Sequence, residues 1–154
     1  MPSISIRRYT RADVSQMVER LEELLQQFHY GKIDFNAKRV KDMLIANLRN
    51  RGFFCDIVVA DGEIVGVLCG SIVEFMFSYE VYAEHHITYI WPTHRSLAVI
   101  TKLVRNYQQW ARSRGVRQIR WGQSTGFKQE KFIVLAKRMG FTQIGTSWNM
   151  EVGR

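Results

Sequence analysis

Residues 89–103, YIWPTHRSLAVITKL, decide how this chain is read. An apolar strand end through Tyr89, Ile90 and Trp91 runs into a turn at Pro92, and a helix opens a few residues later. Ile100, Leu103, Val104, Tyr107 and Trp110 then recur at three- and four-residue steps, which places them on one helical face. No acidic side chain interrupts the stretch. A helix entered this way presents its first N–H groups without intrahelical partners, at the positive end of the macrodipole, and such a terminus suits a pyrophosphate. An ordinary strand–loop–helix connection fits the same residues, and this stretch alone does not choose between the two.

Upstream, Ile4 and Ile6 alternate with polar residues as in a half-buried strand. Thr10 and Asp13 offer cap chemistry for a helix whose apolar stripe is Val14, Met17, Val18, Leu21, Leu24, Leu25 and Phe28, ending near Gly31. Asn36 caps a second helix with Val40, Met43, Leu44 and Leu48 inward, closed by Gly52. Residues 53–60 and 64–73 are strand-like, and Asp61-Gly62 between them predicts an antiparallel hairpin. Residues 75–82 are rich in aromatics and fit either a pocket-shaping loop or buried chain; 84–90 form the next strand.

Downstream, Gly115 stops the long helix and residues 118–122 read as a short strand. Ser124, Thr125 and Gly126 make a turn; Phe132, Leu135, Ala136 and Met139 line a short basic helix; and residues 144–152 supply a last strand or pair of strands. The order is β-α-α-β-β-β-α-β-α-β. The order is of the α+β class.

At 154 residues, 46% hydrophobic, the chain fits one domain, residues 1–154, and is far from disorder. No apolar run approaches the ~18 residues of a membrane span, and the N-terminus lacks the layout of a secretory signal. Cys55 and Cys69 lie inside apolar strands, where buried free thiols and a cytoplasmic location are expected. The net charge of +8 is uneven: residues 95–138 hold eleven Lys and Arg against the single acid Glu130. That field favours an anionic partner. A coenzyme carrying phosphates suffices, nucleic acid is the rival without any supporting motif, and a merely solvated face also fits.

Residues 89–103 resemble the acyl-CoA-binding signature of the GCN5-related N-acetyltransferases, the GNAT superfamily. Pro92, Arg95 and Leu103 fall on its pattern, whereas Ala98 and Ile100 stand at its two glycine positions. Variants without those glycines are similar to GNAT-like proteins of bacteriophages. Leu135-x-x-Arg138-x-Gly140-Phe141 resembles the helix-to-strand ending of the same family, and the element order resembles its fold over residues 4–152, which implies a central, mostly antiparallel twisted sheet flanked by helices.

The resemblance implies an acetyl-CoA-dependent N-acetyltransferase, with no metal, acting on an amine acceptor that the sequence does not identify. It places Tyr89, Ile90 and Trp91 beside the pantetheine arm, with one of their N–H groups facing the thioester carbonyl. It places Arg95, Ser96, Leu97, Ala98, Val99, Ile100 and Thr101 at the pyrophosphate, and Gln129 where relatives carry a coenzyme-contacting Asn. Glu84 and His86 are the candidate general bases, two apart and so on one face of the strand. Ala136 stands where relatives have a thiolate-protonating Tyr, which leaves Tyr89, Tyr107, Ser124 or water for that role. Homodimers are frequent in the family. The alternative reading is a non-catalytic basic module of the same fold that binds protein or nucleic acid.

Overall fold

The computed structural model describes residues 3–28, 33–123 and 128–153. In chain order the elements are β1 (Ile4–Arg8), α1 (Val14–Leu25), α2 (Ala37–Ala46), β2 (Phe53–Ala60), β3 (Glu63–Glu74), β4 (Val81–Ile90), α3 (Leu97–Ser113), β5 (Gln118–Ile119) and α4 (Gln129–Arg138). The strands form one sheet in the order β1-β2-β3-β4-β5. Every pairing is antiparallel except β4 with β5, which run parallel over two residue pairs only.

Local chemistry explains most element ends. Asp61 and Gly62 both take positive φ, 50° and 83°, so the two-residue turn twists with the strands it joins. Asn36 accepts from the Arg39 N–H at 2.9 Å, and Ser96 accepts from the Val99 N–H at 3.1 Å, fixing where α2 and α3 begin. After α4, Gly140 at φ 90° lets the Phe141 N–H turn back to the Ala136 carbonyl at 3.0 Å. Asp13 gathers the Thr10 N–H, the Thr10 hydroxyl and the Arg7 guanidinium ahead of α1, and Arg7 first among them draws its pKa down to about 2.

Alternation along β2 and β3 splits the core between the two faces of the sheet. Phe53, Cys55 and Ile57 meet Tyr9, Val14, Met17 and Leu44 on the α1–α2 face. Phe54, Val58, Val65 and Leu68 meet Val99, Leu103, Val104 and Tyr107 on the α3 face. Cys55 and Cys69 are free, buried and directly opposed across β2 and β3, with their sulfurs 2.9 Å apart. Their mutual hydrogen bond, with burial, pushes the Cys55 thiol well up, away from thiolate. Gly70 is dictated by packing: a Cβ there would stand 2.7 Å from both the Glu84 carbonyl and the Tyr107 ring.

The structure departs from the sequence reading in the first two helices, in β4, in β5, which ends at Ile119 and not at residue 122, and in the tail. The first helix ends at Leu25 and the second at Ala46, each several residues early; Gly31 lies outside the described residues. The fourth strand starts at Val81, taking in part of the aromatic run, while Met76, Phe77 and Tyr79 are exposed at the hairpin tip. The turn placed at Ser124, Thr125 and Gly126 lies outside the described residues. Residues 142–153 form no strand. Their alternating apolar side chains Ile144, Trp148, Met150 and Val152 are 82%, 93%, 84% and 83% exposed, so the period is present without a surface to bury it.

Candidate active site

Two features of β4 define the site, a splay from β5 and a bulge. Their last ladder contact is the Arg120 N–H on the Ala83 carbonyl at 2.9 Å. Beyond it β4 runs on to Ile90, and the edge it had shared with β5 is left open. Which main-chain groups line that edge follows from the ladder on the other side. The Trp91 N–H is held by the Val65 carbonyl at 2.9 Å, and Tyr89 pairs with Val67. Alternation therefore turns Thr88 and Ile90 toward the splay, and Tyr89 and Trp91 toward β3. Of the three residues expected beside the coenzyme arm, Ile90 alone offers its N–H; those of Tyr89 and Trp91 are committed within the sheet.

The bulge lies where Cys69 pairs with Ile87 but Gly70 pairs with His85, so His86 is the inserted residue. Its Nε2 lies 2.7 Å from the Ser71 hydroxyl. Ser71 is the direct cross-strand partner of Glu84, whose carboxylate stands 3.6 Å from the Arg120 guanidinium. Glu84 and His86 thus share a face as the sequence suggests, with Ser71 bonded to His86 and opposite Glu84; sequence reasoning missed Ser71 because only the register brings it there.

The opposite face of β4 carries a second network. The Trp121 indole N–H donates to the Thr88 hydroxyl at 3.0 Å, and that hydroxyl lies 2.7 Å from His85 Nε2. Burial, with His86 beside it, draws the His85 pKa down to about 4, so its ring is neutral near pH 7. Trp121 also packs on Phe132 of α4 and on Phe141, with ring centroids 4.7 and 5.5 Å apart. These side chains floor the splay.

At the other end of the splay, α3 presents its N-terminus. Ser96 occupies the Val99 and Ile100 N–H groups, leaving those of Leu97 and Ala98 directed outward. Ala98 is exposed and small, and no acid lies in the first turn. Ile100, at the second glycine position, packs part-buried against the α3-face core, so its bulk turns inward and not across the helix end. Thr101 is half-buried one residue further on, and Val99 is buried. Arg95 folds back: its Nε donates to the Ile90 carbonyl at 2.7 Å and its guanidinium lies 5.2 Å from the Tyr89 ring centre. It braces the loop between β4 and α3. Gln129 sits exposed at the start of α4, with no hydrogen bond to the β4 edge among the described residues.

Tyr107, a candidate from the sequence, is displaced. The Tyr107 hydroxyl donates to the Arg120 carbonyl at 2.8 Å in a fully buried setting, and burial pushes its pKa far up, so it is no proton donor to the splay. Tyr89 packs on Trp91 and Phe28 on the α1–α2 face. Ser124 lies outside the described residues. A groove of about 530 Å³ lined by Glu19, Arg20, Glu22, Glu23 and Glu63 is separate from this chemistry. Glu63 precedes Gly70 by seven residues along β3, about 23 Å at ~3.3 Å per residue. No group of His, Cys, Asp and Glu fit to hold a metal occurs among the described residues.

The splay of β4 from β5 opens beside the N-terminus of α3, whose Leu97 and Ala98 N–H groups point outward. The profile of the acetyltransferase (GNAT) family matches residues 15–141, and the chain belongs to that family. No curated protein matches. Among solved structures, an acetyltransferase of Trypanosoma brucei superposes with a TM-score of 0.75 at 16% identity, covering 97% of this chain and 100% of that one. A predicted acetyltransferase of Clostridium acetobutylicum, solved with acetyl-CoA, gives 0.68 at 18%, covering 97% and 96%. An aminoglycoside acetyltransferase, AAC(6')-Iy, in complex with a CoA–acetylneamine bisubstrate analogue gives 0.69 at 17%, covering 99% of each chain. These chains share the fold of this one.

Proposed function

We propose that this chain transfers acetyl from acetyl-CoA to a primary amine by direct attack, within the activity of its family, and that the splay and bulge of β4 are where it does so. The carrying observation is the succession of three features from α3 back along β4: the outward N–H groups of Leu97 and Ala98, the open Ile90 N–H, and the bulge with Glu84 and His86. Ile90 and His86 are four residues apart, about 13 Å at ~3.3 Å per residue. A coenzyme anchored by its phosphates at α3 thus has an open strand edge leading to two titratable side chains.

Bound acetyl-CoA supplies the activated thioester. The α3 terminus binds its pyrophosphate through backbone dipoles, with Ser96 holding the first turn in shape. The Ile90 N–H pairs with the arm. His86 takes the proton of the attacking amine, and the Glu84 carboxylate, braced by Arg120, favours the positive charge that the ring then carries. With Ala136 in place of a tyrosine and Tyr107 occupied, water returns a proton to the departing thiolate. Cys55 and Cys69 are buried on the α1–α2 face, which supports direct attack over a cysteine-bound acyl group. Their free thiols suit a cytoplasmic location. The rival reading, a basic nucleic-acid module, gains nothing from the arginines nearest the site: Arg95, Arg117 and Arg120 are turned onto the Ile90 carbonyl, Glu80 and Glu84.

Thermal unfolding with and without 1 mM acetyl-CoA, at low and high salt, tests the reading. A coenzyme bound at about 10 μM stabilises by about 2.7 kcal/mol. At roughly 2–4 °C per kcal/mol, Tm should rise by about 5–11 °C at both salts. No shift at either salt would sink the proposal.

A further inference from the structure

We propose that Ser71 is a positioning residue that holds the His86 ring by its Nε2–H and leaves Nδ1 as the basic nitrogen. The inference rests on the reading of His86 as the general base. Nε2 is 2.7 Å from the Ser71 oxygen, so that nitrogen is occupied and the ring has one free nitrogen, Nδ1. A neutral imidazole carries a single proton, and Nδ1 is a base only when that proton is on Nε2. The serine oxygen must then accept from Nε2–H, and its own O–H is free to be donated. Its direct cross-strand partner is Glu84, and opposed side chains on one face stand about 5 Å apart at Cβ. Glu84 thus stands opposite the serine on the same face, with its carboxylate 3.6 Å from the Arg120 guanidinium.

The bulge makes this arrangement possible. His86 is the inserted residue of β4, and without it the residue facing Ser71 diagonally would be set by the regular pleat. The ring is exposed, as an acceptor amine requires, and an exposed ring has no packing to fix its rotamer. The hydroxyl supplies that restraint. The charged and titratable groups near the ring are Glu84 on its own strand, Arg120 just after β5 and the buried His85 beside it, whose pKa, drawn down to about 4, keeps it neutral over the working range.

Two readouts test the assignment on the full chain. Nitrogen-15 NMR of the His86 ring at pH 8 reads the tautomer directly and needs no acceptor. The wild type should show Nε2–H alone, with an unprotonated Nδ1, and S71A should move to a mixture. A wild-type ring protonated on Nδ1, or a spectrum that S71A leaves unchanged, overturns the proposal. With acetyl-CoA and neamine as the probe acceptor, S71A should lower kcat about tenfold without changing KM for acetyl-CoA, S71T should restore it, and H86Q should lose about a hundredfold. Full activity in H86Q would instead remove His86 as the base. An H86Q loss with S71A at the wild-type kcat would refute Ser71 alone.

Discussion

The β2–β3 pair and the tail of residues 142–153 both read as strands in sequence, the first as near-continuous apolar runs at 53–60 and 64–73, the second as apolar side chains at every second position. Their fates differ. That pair buries both of its faces, one under α1 and α2 and the other under α3, and most of its apolar residues fall to 8% exposure or less. The tail buries neither: Trp148 and Met150 stand almost as open as in an extended chain. Period-2 alternation therefore specifies which side chains would share a face, and burial by a neighbour decides whether a strand exists. β5, the last strand of the sheet, is two residues long and offers little edge on which a further strand can start.

The largest break in that contrast comes from the α3 face of the ladder. Leu103 is fully buried among Val104, Tyr107, Phe54 and Leu68. L103A should cost about 2–5 kcal/mol through lost burial and the cavity left behind. At roughly 2–4 °C per kcal/mol, thermal unfolding followed by circular dichroism should show Tm falling by about 5–20 °C. A fall under 2 °C would mean the sheet does not depend on this contact. A smaller break is Y107F, which removes the hydroxyl joining α3 to the Arg120 carbonyl and leaves that carbonyl without its partner. We expect about 1–2 kcal/mol from the denaturant midpoint. Because that hydroxyl is already committed, kcat should stay within about twofold of wild type. A hundredfold loss of kcat with an intact fold would restore Tyr107 as the general acid.

The same contrast explains what could be read from sequence. Short-range features were legible: the Asp61-Gly62 turn, the Asn36 cap, the α3 stripe and the small Ala98 at a bare helix start each depend on residues within one or two turns. Glu84 and His86 were legible as a pair on one face. Features that depend on which residues oppose each other across the sheet were not. The His86 insertion is set by pairing with Cys69 and Gly70, and Gly70 is itself set by Tyr107 from the helix above. Ser71 reaches His86 only through that register. Likewise, nothing local foretells that Trp91 gives its N–H to Val65 or that Arg95 folds onto Ile90.

The smallest expected effect probes the tail itself. Trp148 is 93% exposed, so replacing it with serine removes little buried area and leaves no cavity. W148S should change stability by less than about 0.5 kcal/mol, within a degree or two of the wild-type Tm. The same substitution in a covered strand would uncover a side chain of 150–250 Å² and cost several kcal/mol. The size of the effect therefore measures whether the alternation is partnered in solution. A loss above about 1 kcal/mol would require a surface burying this face, and repeating the scan over a hundredfold range of protein concentration would identify its source. A loss that grows on concentration assigns the surface to a second copy, whereas one independent of concentration assigns it to the chain's own sheet edge beyond β5.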